Sequence, residues 1–300
     1  MSEVDIVIPT FGRQNRVDAT LLMLLKQTIL PANVIIVNQT PGVDSESTEV
    51  SQLYKAAGVE LIWINRASPS LCGARNDALR RARSRICLCL DDDILIPSDL
   101  VAQHAQLFRQ RPELAAIGGQ VWHRKSDFKI RDLSIENPTL GTVIACNLNI
   151  EVSHGPLFGG HFSIRRDIAL SIGGWDESFI GSANWEEGDL MNRLKAHGYN
   201  FIWNPKAWLI HLREPMGGCR IPGNKTFPEW TKTTNFFLYK YRYPTEKSWP
   251  VVLNAALRAG PLRREVVCNP AKWPEAWFGF FMGWLEGRKR YRYFLLLKNE

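Results

Sequence analysis

Short apolar runs alternate with amphipathic segments along the N-terminal part of the chain. Four such runs occur, at Val4–Ile8, Val34–Val37, Leu61–Ile64 and Ile86–Leu90. Apolar residues recur at helical spacing in most of the segments between them. Short, nearly continuous apolar strands separated by helices are typical of a parallel sheet that is covered on both faces. The sequence therefore predicts an α/β fold.

The pattern becomes less regular after about residue 114. Strands are predicted at Ala115–Val121 and Thr142–Leu148, and helices near Arg166–Ser171 and Glu187–His197. We interpret this stretch as the second half of the same domain rather than a separate fold. The sequence contains no internal repeat and no low-complexity segment. The predicted organisation is a domain over 1–230, with halves 1–113 and 114–230, and a helical extension over 231–300.

Composition excludes several classes of protein. The 300 residues are 45% hydrophobic and 22% charged, which excludes a disordered or collagen-like chain. No apolar run reaches the roughly 18 residues that a membrane-spanning helix needs. The start of the chain lacks a basic leader, and its six cysteines form no CxxC pair. These features predict a cytoplasmic protein.

The positive charge is concentrated at the C-terminal end. Residues 231–300 have a net charge of +8, whereas the other 230 residues have a net charge of −1. Aromatic residues are also dense there, in Trp273–Trp284. One interpretation is a helical extension that packs its rings on the main domain. The other is peripheral contact with the inner face of a membrane. Nucleic acid is not an expected partner.

Polar residues follow each predicted strand. They stand at Thr10–Arg13, Asn38–Thr40, Asn65–Arg66 and Asp91–Asp93. In open α/β sheets, ligands bind beyond the carboxyl ends of the strands. We therefore expect a binding site at this edge of the sheet.

Three consecutive carboxylates follow the fourth strand. Asp91, Asp92 and Asp93 would repel one another unless a cation relieves them. A divalent cation held by one or two carboxylates and a diphosphate is one solution, typical of Mg²⁺ or Mn²⁺. Alternation along an extended segment would put Asp91 and Asp93 on one side. The alternative is a helix cap with the other two carboxylates in water.

Further candidates lie late in the chain. Glu186, Glu187 and Asp189 fall in the first turn of a predicted helix, where the helix dipole favours anions. They are either helix-capping acids or include a general base. His211 follows an apolar run and is either a structural residue or a ligand for a metal such as Mn²⁺.

Seven short segments follow one another in the order of the motifs of a known family. With these segments, the chain resembles the family 2 glycosyltransferases of GT-A fold over about residues 3–215. The segments are Ile8–Arg13, Gly73–Leu79, Leu90–Asp93, Phe158–Arg165, Gly173–Asp176, Trp185–Leu190 and His211.

The resemblance implies a Rossmann-like, mostly parallel central sheet flanked by helices, and an inverting transfer of sugar from a nucleotide-diphosphate donor. The acceptor would be a hydroxyl of a glycan or a lipid-linked glycan, and the cofactor Mn²⁺ or Mg²⁺. It also implies a role for each matching residue. Glu187 is the catalytic base, with Glu186 and Asp189 as alternatives, and Asp93 and His211 are metal ligands. The implied donor-binding residues are Pro9, Thr10, Phe11, Arg13, Asn38, Gln39, Arg75, Asn76, Asp91 and Asp92, and the implied sugar or acceptor contacts are Gly160, Trp175, Asp176 and Trp185.

Two other functions are alternatives to glycosyl transfer. A non-catalytic nucleotide-sugar or glycan-binding module could use the same fold, although the intact acids argue against it. A sugar-phosphate nucleotidyltransferase would need a glycine-rich phosphate loop after the first strand, where Pro9–Arg13 has one glycine.

Overall fold

The computed structural model forms two compact units. It describes residues 3–42, 48–123, 150–212, 214, 217–218, 230–244, 249–262 and 264–298. The first unit consists of residues 1–69, 73–175 and 190–221, and the second of residues 70–72, 176–189 and 222–300. The domain boundary at residue 230 stays a prediction.

One nine-stranded sheet organises the first unit. Its order is β3-β2-β1-β4-β8-β6-β9-β5, and β7 pairs with β9. The strands from β3 to β4 are all parallel, whereas β8 is antiparallel to both β4 and β6. The strands are β1 (Val4–Thr10), β2 (Asn33–Asn38), β3 (Glu60–Asn65), β4 (Ile86–Leu90), β5 (Ile94–Leu95), β6 (Leu114–His123), β7 (Val152–Ser153), β8 (His161–Arg165) and β9 (Asn200–His211).

The helices fall between and after these strands. They are α1 (Gln14–Leu24), α2 (Thr48–Ala56), α3 (Leu71–Arg81), α4 (Leu100–Gln110), α5 (Arg166–Ser171), α6 (Glu186–Ala196), α7 (Trp230–Arg242), α8 (Trp249–Ala259), α9 (Arg264–Val267) and α10 (Trp273–Lys298). The α/β fold, the four N-terminal strands and the C-terminal helical segment that the sequence predicts are confirmed. The strand predicted at Thr142–Leu148 lies outside the described residues.

The core of the first unit explains why its central strands are so apolar. Every residue of β1, β2 and β4 is buried, since both sheet faces are covered. Val17, Leu21 and Leu24 of α1 pack into this core from one helical face. Asp5, a polar residue near the start of β1, is buried and accepts hydrogen bonds from the backbone N–H groups of Arg83 and Ser84.

In the second unit, α10 packs along α7 by means of glycines. Gly279, Gly283 and Gly287 recur every four residues, so they lie on one face of α10. A Cβ atom on Gly283 would lie 2.6 Å from the Cβ of Thr233 in α7. The missing side chains therefore allow a close approach of the two helices. Within the described part of the chain, no helix is long and apolar enough to cross a bilayer.

Candidate active site

The carboxyl ends of β1 and β4 bring a threonine and an aspartate together. The two strands are parallel neighbours, so both end at the same edge of the sheet. Thr10 at the end of β1 donates a hydrogen bond from Oγ1 to Oδ2 of Asp92, over 2.7 Å. The polar residues that follow these two strands therefore meet, as the strand order requires.

Asp91, Asp93 and His211 form one cluster at this edge. Antiparallel pairing of β5 with β9 sets Ile94 opposite His211, and Leu212 N–H donates to the backbone oxygen of Asp93. His211 Nε2 lies 3.0 Å from Asp93 Oδ1 and 3.6 Å from Asp91 Oδ2. One potential ligand atom from each of the three residues lies within 4.8 Å of the others.

This cluster fits a divalent cation. Two carboxylates and one imidazole are a donor set that suits Mn²⁺, and carboxylate oxygens suit Mg²⁺. Asp93 and His211 are buried, whereas Asp91 is partly exposed. Asp91, Asp93 and His211 would hold the ion, and the cluster reaches solvent at Asp91.

Gly160 leaves room for the Asp91 carboxylate. A Cβ atom at Gly160 would lie 2.2 Å from Asp91 Oδ2. The backbone of the same glycine accepts a hydrogen bond from Asp91 N–H. The neighbouring Gly159 oxygen is held by Arg75, which is 2% exposed and donates to it over 2.8 Å. In this structure Gly160 and Arg75 thus shape the surroundings of Asp91.

Arg13 binds Asp92 and also reaches Asp93 of the cluster. One guanidinium nitrogen of Arg13 lies 2.8 Å from Asp92 Oδ1 and 3.1 Å from Asp93 Oδ1. Burial raises the pKa of Asp92 to about 6, although Arg13 and Thr10 oppose the shift. Asp91 and Asp93 thus group with His211, while Arg13 joins Asp92 to Asp93.

Asp93 stays ionised more readily than an ordinary aspartate. Burial alone would raise the pKa of Asp93, but the hydrogen bond and charge of His211, the charge of Arg13 and the Glu214 N–H together lower it. The Glu214 N–H lies 2.9 Å from Asp93 Oδ2. The site thus keeps a buried negative charge, which suits a cation ligand.

Arg13 also holds the segment that follows β9. Its second terminal nitrogen donates to the backbone oxygen of Gly217 over 2.9 Å, and Gly218 N–H donates to the oxygen of Phe11. Gly217 has φ +78°, and a Cβ atom there would collide with the Arg13 side chain. A glycine is needed at this position for both reasons.

The predicted donor-binding residues after β2 are tied to neighbouring backbone. Asn38 donates to the Asn65 side chain and accepts from Thr40 N–H, while the N–H of Gln39 donates to the Thr10 oxygen. Pro9 is buried in β1 opposite Val37. The role of these residues in donor binding stays a prediction.

Asn76 and Trp175 are joined by two reciprocal hydrogen bonds. The Asn76 amide donates to the Trp175 oxygen and accepts from the Trp175 N–H, both over 2.8 Å. The Trp175 ring is 2% exposed and packs against Phe162 and the guanidinium of Arg75. A sugar could reach this ring only if the ring became exposed, and the sugar contact of Trp175 stays a prediction.

In the second unit, the three acids of the α6 start differ in their surroundings. Asp189 is 1% exposed and lies 3.1 Å from Arg242, and Tyr243 donates its hydroxyl to the same carboxylate oxygen. Glu186 is 2% exposed, whereas Glu187 is partly exposed. Of the three, Glu187 is therefore the most accessible to a substrate proton.

Asp176 and Trp185 also lie in the second unit. Asp176 binds the same guanidinium nitrogen of Arg242 at 2.6 Å. Burial would raise the pKa of Asp176, but Arg242 and the Ser178 N–H lower it. Trp185 stacks on Tyr239 with ring centroids 5.1 Å apart and has φ +78°, which is unusual for a bulky residue. Trp185 directly precedes α6, whose first turn contains the three acids.

The sequence interpretation did not identify a buried histidine network next to Gly160. His161 Nδ1 lies 3.1 Å from the backbone oxygen of Gln120, and His161 Nε2 lies 3.1 Å from His104 Nε2. His104 Nδ1 in turn lies 2.7 Å from the Ser163 hydroxyl. Both histidines are fully buried, and burial lowers the pKa of His161 to about 4. In the sequence, the apolar residues that surround His104 at helical spacing in α4 could have indicated that this histidine is buried.

Curated relatives match much of this chain but only part of their own length. A Sinorhizobium fredii protein described as "Uncharacterized protein y4gI" is 25% identical over 72% of this chain and 25% of its own length. The poly-beta-1,6-N-acetyl-D-glucosamine synthase of Staphylococcus epidermidis is 23% identical over 82% of this chain and 58% of its own length. The chain thus spans about a quarter of the length of the first relative and somewhat more than half of the length of the second.

Solved structures share the fold, and a family model matches the sequence. Staphylococcus aureus TarS 1–349 aligns over 96% of this chain and 81% of its own, with a TM-score of 0.60 and 12% identity. A Pyrobaculum calidifontis mannosyltransferase in complex with GDP-Man and Mn²⁺ aligns over 93% of this chain and 74% of its own, with a TM-score of 0.52 and 15% identity. The GT-A fold that the sequence predicts is thereby confirmed. The model "Glycosyl transferase family 2" matches residues 5–172, so the chain belongs to glycosyl transferase family 2.

Proposed function

We propose that this chain transfers a sugar from a nucleotide-diphosphate donor to a hydroxyl acceptor, with inversion at the anomeric carbon. The observation that carries the proposal is the cluster of Asp91, Asp93 and His211 at the carboxyl edge of the sheet. Family membership and the mannosyltransferase structure with GDP-Man and Mn²⁺ support it.

The first unit would bind the donor. Asp91, Asp93 and His211 would hold Mn²⁺ or Mg²⁺, which when bound would offset the negative charge of the departing diphosphate. Arg13 would offset the charge of Asp92 and hold the backbone at Gly217 beside the donor site. The residues after β1 and β2, from Pro9 to Phe11 and at Asn38 and Gln39, would contact the nucleoside.

Glu187 would act as the general base. The acceptor oxygen forms a bond to the anomeric carbon as the bond to the diphosphate breaks, and the acceptor proton moves to the Glu187 carboxylate. Asp189 is less suited to this role because it is bound to Arg242 and Tyr243. Glu186 is less suited because it is buried.

The acceptor would be a glycan or a lipid-linked glycan. This proposal follows the poly-beta-1,6-N-acetyl-D-glucosamine synthase relatives, whose name describes a polysaccharide product. We also propose a cytoplasmic location. None of the four described cysteines forms a disulfide, and three of them are buried, which fits a reducing compartment.

Donor hydrolysis and thermal stabilisation test the proposal together. Nucleotide sugars are screened by thermal shift with and without Mn²⁺, and the stabilising donor is then assayed for release of nucleoside diphosphate. We expect one donor to stabilise the protein in the presence of Mn²⁺ and to be turned over slowly. Stabilisation without any turnover, even with glycan acceptors present, would instead indicate a non-catalytic nucleotide-sugar-binding module.

A further inference from the structure

Helix α10 has two faces that differ in kind. The face with Gly279, Gly283 and Gly287 is buried against α7. The side chains on the opposite side of the helix are exposed. They form one face because residues three or four positions apart lie on the same side of a helix. We call it the aromatic–basic face; it consists of Trp277, Phe278, Phe281, Met282, Leu285, Arg288, Lys289 and Arg292.

The N-terminal half of this face exposes large apolar side chains. Phe278 is 63% exposed, and Phe281 and Leu285 are each 53% exposed. Exposed single apolar residues are ordinary, but contiguous aromatic residues on one helical face mark an interaction surface.

The C-terminal half of the same face is cationic. Arg288, Lys289 and Arg292 are exposed, and the two acids of α10, Glu275 and Glu286, lie off the centre of the face. Glu286 lies 2.8 Å from Arg290 and 4.0 Å from Lys289. Four Lys and Arg residues stand against this one acid between Glu286 and Arg292, so the face combines aromatic rings with a net positive charge.

We propose that the aromatic–basic face of α10 docks on the surface of an anionic lipid bilayer. Aromatic rings favour the headgroup level of a bilayer, and Lys and Arg side chains are attracted to anionic lipids. The helix would lie in the plane of the interface, with its glycine face still packed on α7.

A second copy of the chain fits this face less well. The centres of protein interfaces are depleted in charged residues. A two-fold pairing uses the same patch on both copies, so the cluster at Arg288, Lys289 and Arg292 would be brought towards its own counterpart. Anionic headgroups, in contrast, complement these cations.

Vesicle flotation of the full chain tests the proposal. The vesicles contain phosphatidylglycerol mixed with phosphatidylcholine, or phosphatidylcholine alone. The test variants are the pairs Phe278→Ser with Phe281→Ser and Arg288→Glu with Arg292→Glu. Matched control pairs in the first unit are Leu22→Ser with Leu170→Ser and Lys26→Glu with Arg109→Glu, which change exposed residues elsewhere.

We expect the unaltered chain to float with the anionic vesicles, and salt to weaken its binding. Each test pair should weaken this binding at least about tenfold, because it removes two exposed rings or reverses two cations of the face. The control pairs should bind as the unaltered chain does. Circular dichroism and the Tm check that every variant is folded, and because activity is not measured, the result is independent of the proposed glycosyl transfer.

Three outcomes would overturn the proposal. The first is no flotation with anionic vesicles at low salt. The second is equal loss of binding in test and control pairs. The third is a dimer in sedimentation equilibrium without lipid that Phe278→Ser with Phe281→Ser dissociates, because the face would then bind a second copy of the chain.

Discussion

The three consecutive aspartates share two positively polarised or charged partners. His211 lies near Asp93 and Asp91, and Arg13 binds Asp92 and also reaches Asp93. Asp93 therefore belongs both to the cluster that fits a cation and to the ion pair with Arg13. A buried ion pair such as Arg13–Asp92 is costly to break from one side, by about 3–5 kcal/mol.

Replacement of the proposed base should separate binding from turnover. Glu187→Gln should lower kcat about 100-fold or more, because an amide cannot accept the acceptor proton, and should leave donor affinity unchanged. Steady-state kinetics and calorimetric donor titration measure the two effects. Glu177→Gln, which changes another acid of the same unit, is the matched control. Near-normal turnover of Glu187→Gln would reject this assignment.

The buried His161 should make stability depend on pH. The pKa of His161 is about 4 in the folded protein, against an ordinary value of 6.5 that applies to the unfolded chain. Between these two values the unfolded chain binds a proton at this histidine and the folded chain does not. The stabilisation is complete above pH 6.5 and is lost as the pH falls towards 4, on the order of 3 kcal/mol.

Denaturant titrations across this pH range measure that dependence. His161→Gln should reduce the slope of the unfolding free energy against pH, whatever its effect at neutral pH. His197→Gln, which changes an exposed histidine, should keep the slope of the unaltered chain. An unchanged slope in His161→Gln would contradict the account.

At the scale of elements, the sequence predicted the parts that local patterns determine. The strands β1 to β4 follow from continuous apolar runs, and β4 ends at the aspartates because they follow its last apolar residue. The contact of His211 with Asp93 joins residues 118 positions apart, so no local pattern contains it. The same holds for Arg242 and Asp189, and for His104 and His161. The resemblance named most candidates, but it could not give these partners.

The α7–α10 contact allows a prediction with an internal control. Gly283→Ala should destabilise the protein by about 1–3 kcal/mol, because its Cβ atom would lie 2.6 Å from that of Thr233. Gly279→Ala should be neutral or stabilising, since its nearest neighbour is 3.6 Å away and alanine favours a helix by up to about 1 kcal/mol. Chemical denaturation measures both. Equal effects would show that α10 does not pack on α7 through this glycine face.

At the scale of the whole molecule, the two units carry different parts of the proposed chemistry. The first holds the cation-binding cluster and the residues after β1 and β2. The second holds the acids at the start of α6 and the aromatic–basic face of α10. The concentration of positive charge after residue 231, evident in the sequence, therefore belongs to the unit proposed to dock on lipid.

The central claim is that Asp91, Asp93 and His211 bind a divalent cation together with a nucleoside diphosphate. Calorimetric titration of Mn²⁺, with a nucleoside diphosphate present, measures this most directly on the unaltered chain, on Asp93→Ala and on the control Asp99→Ala. The account predicts that Asp93→Ala loses detectable Mn²⁺-dependent binding, while Asp99→Ala binds as the unaltered chain does. Unchanged Mn²⁺ affinity in a folded Asp93→Ala protein would contradict it.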